Sequence, residues 1–130
     1  MKKLLFAALT VVFAMCLFSF IAAEKKPWDV PAKYKAMKIQ KKGDAASIAL
    51  GKTMYTKYCK SCHGAGNGDG AKASSLKTKM DDFTSPAFKA LSDGSKYYMS
   101  FVGRDEMPNF EKKILDEADR WALINYIKGF

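Results

Sequence analysis

The chain has a single histidine, His63, and only three cysteines among its 130 residues. One histidine excludes any centre built on a histidine pair. It also counts against a zinc centre, because a Cys-x-x-Cys half-site needs two further cysteine or histidine ligands. Apart from Cys59, Cys62 and His63, only Cys16 is left to supply one. The glycine-rich run at residues 64–70 lacks the Lys-Ser/Thr ending of a phosphate-binding loop and the spaced carboxylates of an EF-hand. Strands alternating with helices are missing too, so a thioredoxin-like redox pair has no βαβ framework to sit in. No internal repeat is visible. Acidic residues are in the minority, 13 against 22 lysines and arginines, and the formal net charge is +9.

One long apolar run is present, and it stands at the start. Met1-Lys2-Lys3 is followed by residues 4–23, broken only by Thr10 and Ser19, and Ala22-Ala23 offers small residues for cleavage before Glu24. This is a secretory leader in residues 1–23. The alternative is an uncleaved membrane anchor, since the run approaches the roughly 20 residues needed to span a bilayer. Cys16 does not make a lipoprotein signal, because Phe13-Ala14-Met15 is a poor context for one. Removing residues 1–23 takes away Lys2 and Lys3 and no acid, so 20 basic residues face 13 acidic ones, a charge of +7. What remains is one small domain with Cys59 and Cys62 as its only cysteines. In an exported protein two such thiols are expected to be used.

The chemistry-bearing stretch is Cys59-Lys60-Ser61-Cys62-His63. It is a C-x-x-C-H signature for covalent haem attachment. Residues three apart share one face of a helical turn, so both thiols can add to the two vinyl groups on one haem edge. His63 follows at once and can present its imidazole to the iron. A disulfide between Cys59 and Cys62 would strain so tight a loop. Two thioethers leave no thiol over, which agrees with export.

Local signals organise the remainder. Residues 24–43 form a Lys-rich arm containing Pro27, Pro31 and seven lysines, with Trp28 and Tyr34 as exceptions. It reads either as a solvated tether or as a segment pinned by Trp28. Asp44 can N-cap a helix running to about Cys59, with Ile48, Gly51, Tyr55, Tyr58 and Cys62 on one stripe. Residues 64–70 must turn tightly, bringing backbone close to a flat haem edge. Ser85-Pro86 starts a short helix to about Leu91. Ser92-Asp93 starts another, through Tyr97, Tyr98 and Phe101 to Gly103, and its aromatics are expected to face the haem. Pro108 pushes Met107 out of helix. Asp116, with Glu117 and Asp119 in the first turn, opens the last helix, which buries Ala118, Trp121, Ala122, Ile124 and Tyr126.

Gly51-x-x-x-Tyr55-x-x-x-Cys59-x-x-Cys62-His63-Gly64, the later Met107-Pro108 and the closing Trp121-x-x-x-x-Tyr126 helix resemble a class I c-type cytochrome over residues 44–130. The resemblance implies an all-α cytochrome c fold: three to five helices wrapped around one covalently bound haem c, the first and last helices crossing. At that crossing Gly51 would admit the ring of Tyr126. The resemblance implies His63 and Met107 as the two iron ligands. Among the methionines after the leader, Met80 is the rival, Met54 and Met99 read as helix filler, and Met37 lies in the arm. A thioether is a soft, neutral ligand that raises the reduction potential. With both axial positions filled, the iron would carry one electron and do no bond chemistry, so the protein is not expected to be an enzyme.

The expected function is therefore one-electron transfer between redox partners outside the cytoplasm, in the periplasm or on a membrane-anchored protein facing it. The alternative is an electron-transfer subunit of a larger dehydrogenase or oxidase. A haem-based ligand sensor, in which Met107 dissociates, is a third reading. A basic surface suits partners with acidic docking surfaces. Nucleic acid is the other partner of basic proteins, and export with a haem motif argues against it. Lys60, Lys72, Lys77, Lys79 and Lys89 are candidates to ring the exposed haem edge, and Arg104 is a candidate to pair a propionate.

Overall fold

The computed structural model describes residues 26–39 and 43–130. The leader at residues 1–23 lies outside the described residues. Six α-helical segments follow one another: α1 (Ala32–Lys35), α2 (Ala45–Tyr58), α3 (Lys60–His63), α4 (Pro86–Lys89), α5 (Asp93–Phe101) and α6 (Glu117–Ile127), with one 3-10 turn at Ala73–Ser75. Among the described residues there is no β-strand, only an isolated antiparallel bridge between Arg104 and Met107. The fold is all-α, as expected. Three helices are long (14, 9 and 11 residues) and three are single turns of four residues.

The helix starts sit where side-chain oxygens can take the first free amides. Asp44 accepts from the Ser47 amide at 2.8 Å, Ser85 from Phe88 at 3.2 Å, Ser92 from Ser95 at 3.1 Å, and Asp116 from Ala118 at 2.7 Å. Each satisfies one of the four orphan donors of a helix N-terminus. Gly103, at φ +71°, closes the α5 end, and its left-handed backbone is one that L side chains avoid.

The first and last long helices, α2 and α6, make the principal helix contact of the fold. They cross at Gly51. A Cβ there would lie 2.8 Å from the carbonyl carbon of Ala122 and 2.8 Å from Tyr126 Cβ, and closer still to the Ala122 carbonyl oxygen. The glycine therefore admits α6 backbone rather than the Tyr126 ring. That ring packs instead on Tyr55, at 5.4 Å between centroids, and on Phe130 at 5.3 Å. Around the crossing lies a core of Tyr55, Phe101, Phe110, Ile114, Leu123, Ile124 and Ile127. At about 25 cal/mol per Å² of apolar surface removed from water, this cluster is the main driving force for bringing the helices together.

The described part of the arm is packed on α5. Val30 is buried. Tyr34 lies 4.8 Å from Tyr98 and 6.4 Å from Tyr97, and Trp28 meets Tyr98 edge-on at 6.3 Å. Asp93 at the α5 start accepts from the Ile39 amide at 3.4 Å and from Lys128 of the C-terminal end at 2.7 Å. Tyr97 and Tyr98 thus face the arm and α6 rather than a haem. Tyr97 also packs on Trp121 in a tilted pair at 4.6 Å and accepts from Arg120 Nε at 2.6 Å. The physical reason is that the arm offers aromatic rings to this face of α5, while the opposite face is left for the cleft.

Candidate haem site

Helix α2 delivers Cys59 to the site. Its last turn closes with the Cys59 amide donating to Tyr55 O at 2.9 Å, and the chain then starts a new turn, with Cys62 and His63 amides donating to Cys59 O at 3.1 and 2.9 Å. Cys59 (φ −116°) is the joint between α2 and α3. After His63 the chain turns at Gly64, φ +58°, and folds back on itself. Gly70 donates to Cys62 O at 3.2 Å and Lys72 to Ser61 O at 2.8 Å. Asp69 ties the turn by accepting from the Ala65 amide at 2.9 Å. Within the glycine-rich run, Gly70 lies against the backbone of Ser61 and Cys62, and Gly66 against the Phe130 ring.

His63 is 7% exposed. Its ring stacks on Phe83, centroids 4.8 Å apart and planes 21° off parallel, and both ring nitrogens are buried. Phe83 is held by its amide donating to Gly66 O at 2.6 Å. Burial, then the neighbouring Cys62, pushes the Cys59 thiol up to about 12. A thiolate is costly there, whereas a thioether carries no charge and loses nothing by burial. Burial first, then nearby negative groups, also raises the Tyr55 phenol, which stays protonated and donates to Gly64 O at 3.1 Å.

The 103–113 loop also lines the site. Met107 donates to Arg104 O at 2.8 Å, and Phe110 donates to Phe101 O at 2.8 Å. A Cβ on Gly103 would collide with the Pro108 carbonyl, so the Met107-Pro108 peptide lies directly over that glycine. Glu106 accepts from the amides of Thr78 at 2.7 Å and Lys77 at 3.2 Å. These bonds, Thr78 first, lower the Glu106 carboxyl below its usual range and join the Met107 loop to the segment bearing Met80.

Both segments border an open cleft. Cys59, Cys62, His63, Met80, Met107 and Pro108 are among its lining residues. It continues past His63, Met80 and Met107 into a second chamber that reaches Trp28, Met99 and Arg104. An apolar recess lined by Tyr55, Phe101, Leu123 and Ile127 opens below. All four sequence-predicted residues, Cys59, Cys62, His63 and Met107, border one cavity. Met80, the rival, is there too. Met99, read as helix filler, and Trp28 from the arm line the second chamber; neither carried a local signal, because only the packing of distant segments brings them in. From α5 the cavities are lined by Met99, Ser100 and Phe101.

At the rim, Lys72 and Lys79 of the expected lysines border the cavities, joined by Lys57 and Lys113. Arg104 is committed to the arm. It donates to Pro27 O at 2.7 Å and to Lys26 O, and its guanidinium lies 4.1 Å from the Trp28 ring centre.

A long helix crossing its C-terminal counterpart, with C-x-x-C-H at its end and a buried cleft beside it, defines a c-type cytochrome domain that binds haem c and its iron for electron transport. Residues 46–127 match the family model described as "Cytochrome C oxidase, cbb3-type, subunit III", and the chain belongs to that family. No curated protein matches the chain. The residues present fit the group: a cleft lined by two thiols three residues apart and by an imidazole with both nitrogens withdrawn from water.

Proposed function

We propose that Cys59 and Cys62 carry the haem as thioethers, that His63 and Met107 are its axial ligands, and that the protein is a one-electron carrier working outside the cytoplasm. The observation that supports this reading is that Cys59, Cys62, His63 and Met107 all line one cleft. When bound, the haem supplies a reversible one-electron couple and nothing else is asked of it. The chain's residues do the remainder. The Phe83 stack fixes the plane of the His63 ring. The Gly103 and Glu106 contacts set where the Met107 sulfur stands. The apolar recess beneath excludes water, which favours the lower-charged state of an iron centre. Met107 is preferred to Met80 because its loop is anchored at both ends, by Gly103 and by Phe110.

The exposed rim of Lys57, Lys72, Lys79 and Lys113 supports docking to an acidic partner. Redox encounters of this kind are small and transient, and their on-rates fall as salt screens the charges. Export rests on residues 1–23. No helix of the described residues is long and apolar enough to cross a membrane. A second reading, an electron-transfer subunit of an oxidase, is favoured by the description of the matched family.

Absorption spectra of the purified oxidised and reduced protein test the proposal. A low-spin spectrum with a ferric sulfur-to-iron band near the red end is expected, along with indifference to carbon monoxide. Ready binding of carbon monoxide to the reduced form would replace the carrier with a sensor. Co-purification with a large redox subunit would establish the second reading.

A further inference from the structure

Trp28 presents a problem that the family match does not touch, since the match begins at residue 46. Its indole Nε1 is buried and has no hydrogen-bond partner. Buried donors in folded proteins are nearly always paired, because leaving one unpaired costs free energy. The position is also heavily determined. Arg104 holds the backbone of the two residues before Trp28 through Lys26 O and Pro27 O and caps the indole face, while Tyr98 abuts it edge-on. A side chain held this firmly, with its one polar atom unspent, is aimed at something.

What it borders is the far chamber of the cleft. That chamber contains His63, Met107, Trp28 and Arg104, and the cysteines border the other chamber. A haem carries its vinyl groups and its two propionates on opposite edges of the ring. Thioethers at Cys59 and Cys62 therefore turn the carboxylate edge away from the cysteines, toward Trp28. Of the chamber's other charged groups, Glu106 is taken by the Lys77 and Thr78 amides and Arg104 by the arm carbonyls with Asp105 3.7 Å from its Nε, while Lys79 stands exposed at the rim.

We propose that the N-terminal arm is part of the haem pocket, and that Trp28 Nε1–H donates a hydrogen bond to a haem propionate with Arg104 as the positioning residue that holds the indole in place. The arm then completes the site rather than merely preceding it. A donor on a propionate stabilises its negative charge and offsets part of its pull on the iron, so the contact raises the reduction potential. This rests on thioether attachment at Cys59 and Cys62, which an alkaline pyridine spectrum verifies separately by its two-thioether band position.

The test uses the full haem-loaded protein labelled with ¹⁵N-tryptophan. Trp121, whose Nε1 donates to Glu117 at 3.2 Å on the exposed side of α6, is the internal reference. The Trp28 indole proton is expected downfield of the Trp121 proton and at least tenfold slower to exchange. Trp28→Phe, which keeps an aromatic ring and deletes the N–H, is expected to shift the propionate bending band in the resonance Raman spectrum and to lower the potential, with the pyridine spectrum unchanged. Trp121→Phe should move neither. A Trp28 indole proton that exchanges as fast as that of Trp121 overturns the proposal, even if Trp28→Phe fails to fold. So does a propionate band that Trp28→Phe leaves in place. Loss of the two-thioether pyridine band in the unmutated protein would instead strike at the haem attachment itself.

Discussion

Gly51→Ala separates local from tertiary energetics with a change of sign. Glycine inside a helix costs about 1 kcal/mol relative to alanine, so on propensity alone the substitution should stabilise α2 by that amount. The crossing says otherwise. The added methyl would stand 2.8 Å from the Ala122 carbonyl carbon and from Tyr126 Cβ, well inside the 3.5–4.0 Å of ordinary carbon contact. Ala122 presents backbone, which cannot rotate aside, so α6 must shift away by about 1 Å. Overpacking of this kind costs about 1–3 kcal/mol, and the upper end applies where backbone is the obstacle. The net expectation is a loss of about 2 kcal/mol, or roughly 8–16 °C in Tm for a domain of this size. Thermal melts followed by far-ultraviolet circular dichroism measure it, with haem-loaded protein in both arms. Ala49→Gly, at an exposed position of the same helix, isolates the propensity term and should cost about 1 kcal/mol. A Gly51→Ala melt at or above the parent temperature would refute the account of the crossing.

Met107→Ala should lower the reduction potential sharply and remove the ferric sulfur-to-iron band; an unchanged spectrum would hand the ligand role to Met80. Cys59→Ala combined with Cys62→Ala should give a chain that retains no haem through acidified acetone and folds poorly by circular dichroism, because a small domain has lost the centre of its core. Gly103→Ala forces a left-handed backbone on a residue with a side chain and pushes on the Pro108 carbonyl. It should weaken the sulfur-to-iron band while leaving covalent haem intact, read by comparing that band with the pyridine spectrum.

The arm shows where tertiary structure took over. Its proline and lysine content left open whether it was tether or wall. What decides is a guanidinium about 77 residues away in sequence, reaching the carbonyls of Lys26 and Pro27. The same holds for Tyr97 and Tyr98: the helix they occupy was legible, but which face meets the cleft depended on where Tyr34 and Trp121 came to rest. The resemblance put Gly51 at the helix crossing, yet its neighbour proved to be the Ala122 backbone rather than a ring.

The sequence by itself determined the starts at Asp44, Ser85, Ser92 and Asp116, the C-x-x-C-H turn and the haem c class, because caps, turns and a five-residue motif act over one or two turns of chain. Only the tertiary structure decided that Met80, Met99 and Met107 share one cleft and that Trp28 reaches its far chamber. Those placements depend on the packing of segments tens of residues apart, and no local spacing encodes them.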